Sequence, residues 1–165
     1  MDIRPEAAGD AEAIRRVTRA AFEGKAYSRQ TEAAIIDALR AAGALTISLV
    51  AVEEGEILGH VAFSPVAVGG IDRGWYGLGP VAVRPDRQRQ GIGQALIREG
   101  LRRIRQRSAA GVILVGDPGY YARFGFVSDP ALRYRDVPSA YIQRLAFTKD
   151  VPSGEIAFHA AFDAR

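Results

Sequence analysis

The chain has 165 residues, 48% of them hydrophobic and 25% charged, with 22 Lys plus Arg against 19 Asp plus Glu and no cysteine. A chain of this length buries roughly 68–70% of its unfolded surface, so one core suffices without a disulfide or metal staple, and a single domain over residues 1–165 is expected. The missing cysteine excludes thiol nucleophiles, thiolate metal ligands and redox pairs, so any acyl transfer must proceed without an enzyme thioester. The net charge of +3 is small for a surface that tracks a polyanion, and Lys25 and Lys149 are the only lysines, which argues against nucleic acid as the partner. No apolar run approaches the ~18 residues of a membrane span, and no basic start precedes an apolar stretch. A cytoplasmic location without membrane contact is the expectation.

The apolar residues Ile14, Val17, Ala21 and Phe22 recur at helical spacing over residues 9–22, after an Asp10 able to cap. Ile35, Leu39 and Ala42 repeat the pattern over 31–42, with Thr31 as cap and Gly43 as stop. Two β-branched runs, Thr46 to Val52 and Ile57 to Val68, flank Glu53-Glu54-Gly55-Glu56 and predict a hairpin. A third strand is expected from about Trp75 to Val83, closed by Pro85-Asp86. Ile92, Leu96, Leu101 and Ile104 then predict a helix out to about Arg107, with Arg98, Arg102, Arg103, Arg105 and Arg107 on its solvated faces. Val112 to Val115 is wholly apolar, as a strand buried on both faces requires, and it lies parallel to the one that begins at Trp75. A short helix near Tyr120 to Phe124 and strands at Tyr141 to Phe147 and Glu155 to His159 complete a mixed α/β (α+β) sheet.

The segment with chemical content runs from Gly79 to Leu96, where a strand ends, a basic loop follows and Gly91 and Gly93 open an amphipathic helix. The first turn of a helix leaves N–H groups without partners, and they favour an anion beyond the N-terminus. Glycine at 91 and 93 lets that backbone approach a bulky diphosphate. A pyrophosphate site is therefore expected, with Arg84, Arg87 and Arg89 around it. A dinucleotide fingerprint fails because the third glycine position is Leu96 and seven residues separate Val83 from Gly91. A P-loop fails because no Gly-Lys-Ser/Thr occurs, a Gly-x-Ser-x-Gly elbow is missing, and His60 and His159 show no metal-ligand spacing.

Gln88-x-x-Gly91-x-Gly93 after an apolar strand resembles the acyl-CoA loop of the GNAT superfamily of N-acetyltransferases. The segment Tyr120-Tyr121-Ala122-Arg123-Phe124-Gly125-Phe126 after Val112 to Val115 resembles that superfamily's Tyr-x-x-x-Gly-Phe motif. Gly79 to Val83 and Gly154 to Phe162 are similar to a bacterial subgroup of these acetyltransferases, so the likeness covers nearly the whole chain. The resemblance implies the acyl-CoA N-acyltransferase fold, with two N-terminal helices and a central sheet splayed between parallel fourth and fifth strands. It implies acetyl-CoA as co-substrate, no metal, and direct transfer to a primary amine of a small molecule or peptide. A homodimer is an assembly the family uses. By the same likeness, Val81, Ala82 and Val83 face the pantetheine arm, with the contacts made by the backbone of Val81 and Val83. Gln88, Arg89, Gln90, Gly91, Ile92, Gly93 and Gln94 make the pyrophosphate loop, and Tyr121 is the general acid toward the departing thiolate, with adjacent Tyr120 as the alternative at the thioester. Many members carry an asparagine after the fifth strand; Gly116-Asp117-Pro118 stands there, which puts Asp117 in the pantetheine contact. Glu32 and Asp37 on the second helix are candidates for the base, beside a water chain. A domain that binds acyl-CoA without turnover is the alternative.

Overall fold

The computed structural model describes residues 1–165. Its strands are β1 (Asp2–Pro5), β2 (Ile47–Glu53), β3 (Glu56–Val68), β4 (Ile71–Val83), β5 (Gly111–Val115), β6 (Val127–Ser128), β7 (Leu132–Arg133), β8 (Ile142–Ala146) and β9 (Gly154–Phe158). The helices are α1 (Ala11–Phe22), α2 (Glu32–Ala41), α3 (Ile92–Gln106) and α4 (Pro118–Tyr121). The sheet runs β1-β2-β3-β4-β5-β8-β6, and β9 joins β3 beyond the end of β2, at Val66 to Val68. All pairs along that path are antiparallel except β4 with β5. The fold is thus the mixed sheet expected from the sequence.

Alternation along the central strands assigns the two faces. Leu49, Val61 and Phe63 pack with Ile92, Leu96, Ile97 and Ile104 of α3, while Val50 packs with Ile14 of α1 and Ile36 of α2. Side chains in these layers are almost wholly buried, and truncating one such Leu or Ile to Ala costs about 2–5 kcal/mol. Gly100 lets α3 lie close to the sheet: a Cβ there would fall inside the edge of the Phe63 ring. Gly77 does the same for the other face, where a Cβ would stand 2.9 Å from Cε1 of Phe158.

Several local features differ from the sequence expectations. The Asp10 carboxylate does not cap α1; it accepts from the Ala7 N–H (2.6 Å) and the Arg4 guanidinium (2.7 Å), tying the end of β1 to the helix start. Thr31 makes no side-chain cap either. Strand β4 begins at Ile71, because Gly69 and Gly70 (φ 61° and 78°) form a tight hairpin turn that lets β3 continue directly into β4. Strands β1, β6 and β7 are too short to carry a period. The arginines of α3 are not simply solvated: Arg102 and Arg103 bind Glu99 at 2.6 and 2.7 Å, and Arg98 and Arg105 lie over the rings of Phe124 and Phe147.

His60 sits on β3 with no exposed surface, and its Nε2 lies 2.8 Å from Ser48 Oγ. Ser48 spends its one proton on Glu6, whose carboxylate is held by Arg40 at 2.9 Å, so the imidazole must donate from Nε2. Burial, with a smaller contribution from Arg40, pushes His60 down to about 4 from 6.5, against the opposing pull of Glu6. The unfolded chain takes up this proton at higher pH than the folded one. Stability from this group is therefore complete above pH 6.5 and lost as pH falls toward 4, by about 3 kcal/mol in all. Urea unfolding of the wild type at pH 7 and pH 4.5 should show this loss, and His60→Gln, which retains a donor but does not titrate, should flatten the difference; an equal slope in both proteins would remove the assignment.

Candidate active site

Strands β4 and β5 are paired only from Trp75/Gly111 to Gly77/Ile113. Beyond that point they separate. The register between β3 and β4 slips by one residue between Val61/Val81 and Phe63/Leu78, which places a bulge at Gly79-Pro80 where the separation begins. Past the bulge, Arg84 N–H donates to Leu58 O at 2.8 Å, so the ladder alternates from there. Ala82 spends its backbone groups on His60, while those of Val81 and Val83 point toward the opening. Gln88 reaches back from the loop, and its Nε2 donates to Val83 O at 3.0 Å.

The loop into α3 supplies the second wall. Pro85–Arg87 forms one 3-10 turn, and Arg89 (φ 63°) and Gly91 (φ 85°) then turn the chain through the left-handed region. The first backbone bond of α3 is Ala95 N–H to Gly91 O, and no backbone N–H from Gln88 through Gln94 has an acceptor. Consecutive unpaired amides at a helix start form an anion cradle. Of the three arginines expected around it, only Arg89 is free. Arg84 is held by Asp86 (2.6 Å) and Glu56 (3.0 Å), and Arg87 by Glu53 (2.7 Å), with Gln90 Oε1 accepting from Arg87 Nε.

The cleft between these walls measures about 360 Å³. It is lined by Val81, Val83, Arg87 to Arg89, Gly91 to Gln94, Ile97, Tyr120 and Tyr121, and by Ala21, Phe22, Lys25 and Tyr27 from the end of α1 and the loop after it. No Asp or Glu lines it. Among the residues singled out in the sequence, Ala82 is buried on β4 and is not part of the lining, nor are Gln90 and Asp117. Asp117 caps α4 instead, accepting from Gly119 N–H at 2.9 Å. Glu32 is held by Ser28 Oγ at 2.7 Å and Asp37 by Arg15 and Arg40 at 2.9 and 3.0 Å, and neither reaches the cleft.

Both tyrosines of the motif line the cleft, in different settings. Tyr121 packs edge-on against Tyr120 and Phe126, with ring centroids 4.9 and 6.1 Å apart. Burial first, then Tyr120, Tyr27 and Asp117, pushes its phenol up to about 12. Tyr120 lies under the Arg123 guanidinium at 4.5 Å; burial raises its phenol while Arg123 and Arg98 oppose the shift. Gly116 explains the chain's departure after β5: a Cβ there would stand 2.7 Å from Tyr121 Cε2, so glycine makes room for the ring. In the sequence Phe22 has only a place in the stripe of α1, and no motif marks Lys25 and Tyr27 in the loop after it.

A mixed sheet that opens between two parallel strands, with unpaired amides at the mouth of the following helix, defines an acyl-CoA N-acyltransferase fold. The Acetyltransferase (GNAT) family model matches residues 11–126. A crystal structure of a GNAT family acetyltransferase from Brucella melitensis, in complex with acetyl-CoA, is 57% identical; the match covers 98% of this chain and 97% of that one, with a TM-score of 0.89. Escherichia coli YhbS, described as an uncharacterized N-acetyltransferase, is 40% identical over 152 residues, covering 88% of each protein. Its crystal structure in complex with CoA superposes with a TM-score of 0.89 at 34% identity, covering 98% of this chain and 91% of that one. The chain belongs to the GNAT family of acetyltransferases. No group of three or more His, Asp or Glu is placed to hold a metal ion, and no helix is long and apolar enough to cross a membrane.

Gly116→Ala should displace the Tyr121 ring, lowering the melting temperature and altering the near-ultraviolet circular dichroism of the tyrosines. Gly93→Ala, whose Cβ would meet nothing closer than 3.6 Å, should leave both unchanged or raise the melting temperature slightly.

Proposed function

We propose that the protein transfers an acetyl group from acetyl-CoA directly to a primary amine of a small molecule or peptide. The observation that carries this reading is the unbroken run of unpaired N–H groups from Gln88 through Gln94. That run leads into the unpaired edge of β4 and to the buried phenol of Tyr121. A diphosphate suits the first, an amide-bearing arm the second and a thioester the third. Two similar proteins have structures with acetyl-CoA and CoA.

In this reading Arg89, Gln90, Gly91, Ile92, Gly93 and Gln94 hold the pyrophosphate through backbone amides, with the Arg89 guanidinium beside them. Val81 and Val83 bond the pantetheine amides as an added strand would. Gln88 occupies the Val83 carbonyl and leaves the Val83 N–H for the ligand, and Ala82 serves as the residue that locks β4 to β3. Asp117 acts through the cap of α4, which carries Tyr121.

The amine nitrogen attacks the acetyl carbonyl, its C–N bond forms as the C–S bond breaks, and the departing sulfur takes a proton from the Tyr121 hydroxyl. The amine's proton leaves to water, since no carboxylate lines the cleft, and water returns a proton to the Tyr121 oxygen. A phenol pushed up to about 12 is a weak acid against a thiol of about 8.5 in water. The burial that raises the phenol also raises a thiolate's proton affinity in the same place. Burial acts on both anions alike, so the phenol stays the weaker acid and donation depends on the placement of its hydroxyl beside the departing sulfur.

Calorimetry with acetyl-CoA followed by thiol release over an amine panel tests the activity; binding with no release from any amine would make the protein a sensor. Tyr121→Phe should lower kcat at least about tenfold while acetyl-CoA affinity changes little, and unchanged turnover would free Tyr121 of this role. Because Tyr121 stays protonated far above neutrality, kcat/KM for the amine should climb with pH as the amine loses its proton and show no descending limb up to about pH 10.

A further inference from the structure

The segment between α1 and α2 forms a fixed wall. Gln30 Nε2 donates to Phe22 O at 2.6 Å, Ser28 N–H to Lys25 O at 3.0 Å, and Ser28 Oγ to Glu32 at 2.7 Å, so the turn is braced at three points. On it, Phe22 and Tyr27 meet edge to face at 6.4 Å, and Tyr27 is 78% exposed. Phe22, Tyr27 and Tyr121 all line the one cleft. Lys25, in the same turn, lines the cleft and has no ion-pair or hydrogen-bond partner for its ammonium.

Three cations line this cleft and no anion does. Arg87 is neutralised by Glu53, and Arg89 lies at the unpaired amides. Lys25 is left over, beside an aromatic pair. An acceptor with several positive charges would enter against a like charge with no carboxylate to receive it, and such a mismatch discriminates strongly between ligands. We propose that this wall selects amine acceptors that carry an anionic group on an apolar or aromatic body, with Lys25 pairing the anion and Phe22 and Tyr27 flanking the body. The proposal rests on the transferase reading and adds the chemical class of its acceptor.

Two sets of amines matched in basicity test it: 4-(aminomethyl)benzoate against benzylamine, and 6-aminohexanoate against hexylamine, with spermidine as the polycation. Thiol release from acetyl-CoA should give the carboxylate members a kcat/KM advantage of roughly five- to tenfold, shrinking with added salt, and spermidine should be the poorest. Lys25→Gln should abolish that advantage and Lys25→Glu reverse it, each with the KM for acetyl-CoA within about twofold of wild type. A preference for spermidine, or an advantage untouched in Lys25→Gln, would overturn the assignment. So would a rise in KM for acetyl-CoA in Lys25→Gln that disappears when 3′-dephospho-acetyl-CoA is used, since Lys25 would then serve the nucleotide phosphate. No thiol release from any amine, with acetyl-CoA still bound, would overturn the transferase reading itself.

Discussion

The early end of the β4–β5 ladder is the constraint on which the site depends. Backbone N–H and C=O groups in a sheet need partners, yet β4 runs on past Gly77 to Val83 with one edge open. The other edge stays bonded to β3, so β4 cannot swing across to close the gap. Strand β5 is likewise kept away, because its far edge is fully engaged with β8 from Gly111 to Val115. Two rigid ladders thus hold open a slot whose walls already carry the hydrogen-bonding pattern of a strand. A ligand with peptide-like amides completes the sheet at little reorganisation cost, the preorganisation that gives tight binding from modest contacts.

Around that slot the polar groups divide by accessibility. The amides of Gln88 through Gln94 face outward and can receive a hydrated diphosphate, whereas Tyr121 is sunk among Tyr120, Phe124 and Phe126, where charge is penalised. The unpaired amides therefore lie at the wet end of the cleft and the raised phenol at the dry end. On the opposite face, the His60-Ser48-Glu6-Arg40 chain links β3, β2, the residue after β1 and α2 without reaching the cleft. Its place beside Ala82 ties the ladder that carries Val81 and Val83 to the helical layer.

Much of the fold was legible from the sequence where residues act through period or through backbone. The helical stripes of Ile14 to Ala21 and Leu96 to Ile104, the apolar run Val112 to Leu114, and the paired glycines at 91 and 93 each express a local rule. The two- to four-residue strands were not legible, since so few residues carry no alternation. The side-chain roles were less legible still. Asp10 and Thr31 have capping chemistry, but Arg4 and the Ala7 N–H compete for the first, and the second makes no cap bond. Arg84 and Arg87 read as phosphate ligands until the β2–β3 hairpin brings Glu56 and Glu53 next to them and the 3-10 turn folds Asp86 onto Arg84. Lys25 and Tyr27 carry no pattern, and only the fold brings them into the same cleft as Tyr121.

Gly100 does not line the cleft, yet the depth at which α3 rests on Phe63 is set there. From residue 100 to residue 91 the helix extends about 13 Å, so the contact works as the fulcrum of a lever. A side chain that lifted the axis by about 10° at that point would carry the far end through about 2 Å, close to the whole margin between a hydrogen bond and none. The missing methyl group at one position in the middle of a helix thus governs the aim of amides more than two turns away. Drift in catalytic power within such a protein can therefore originate from a residue that touches neither reactant.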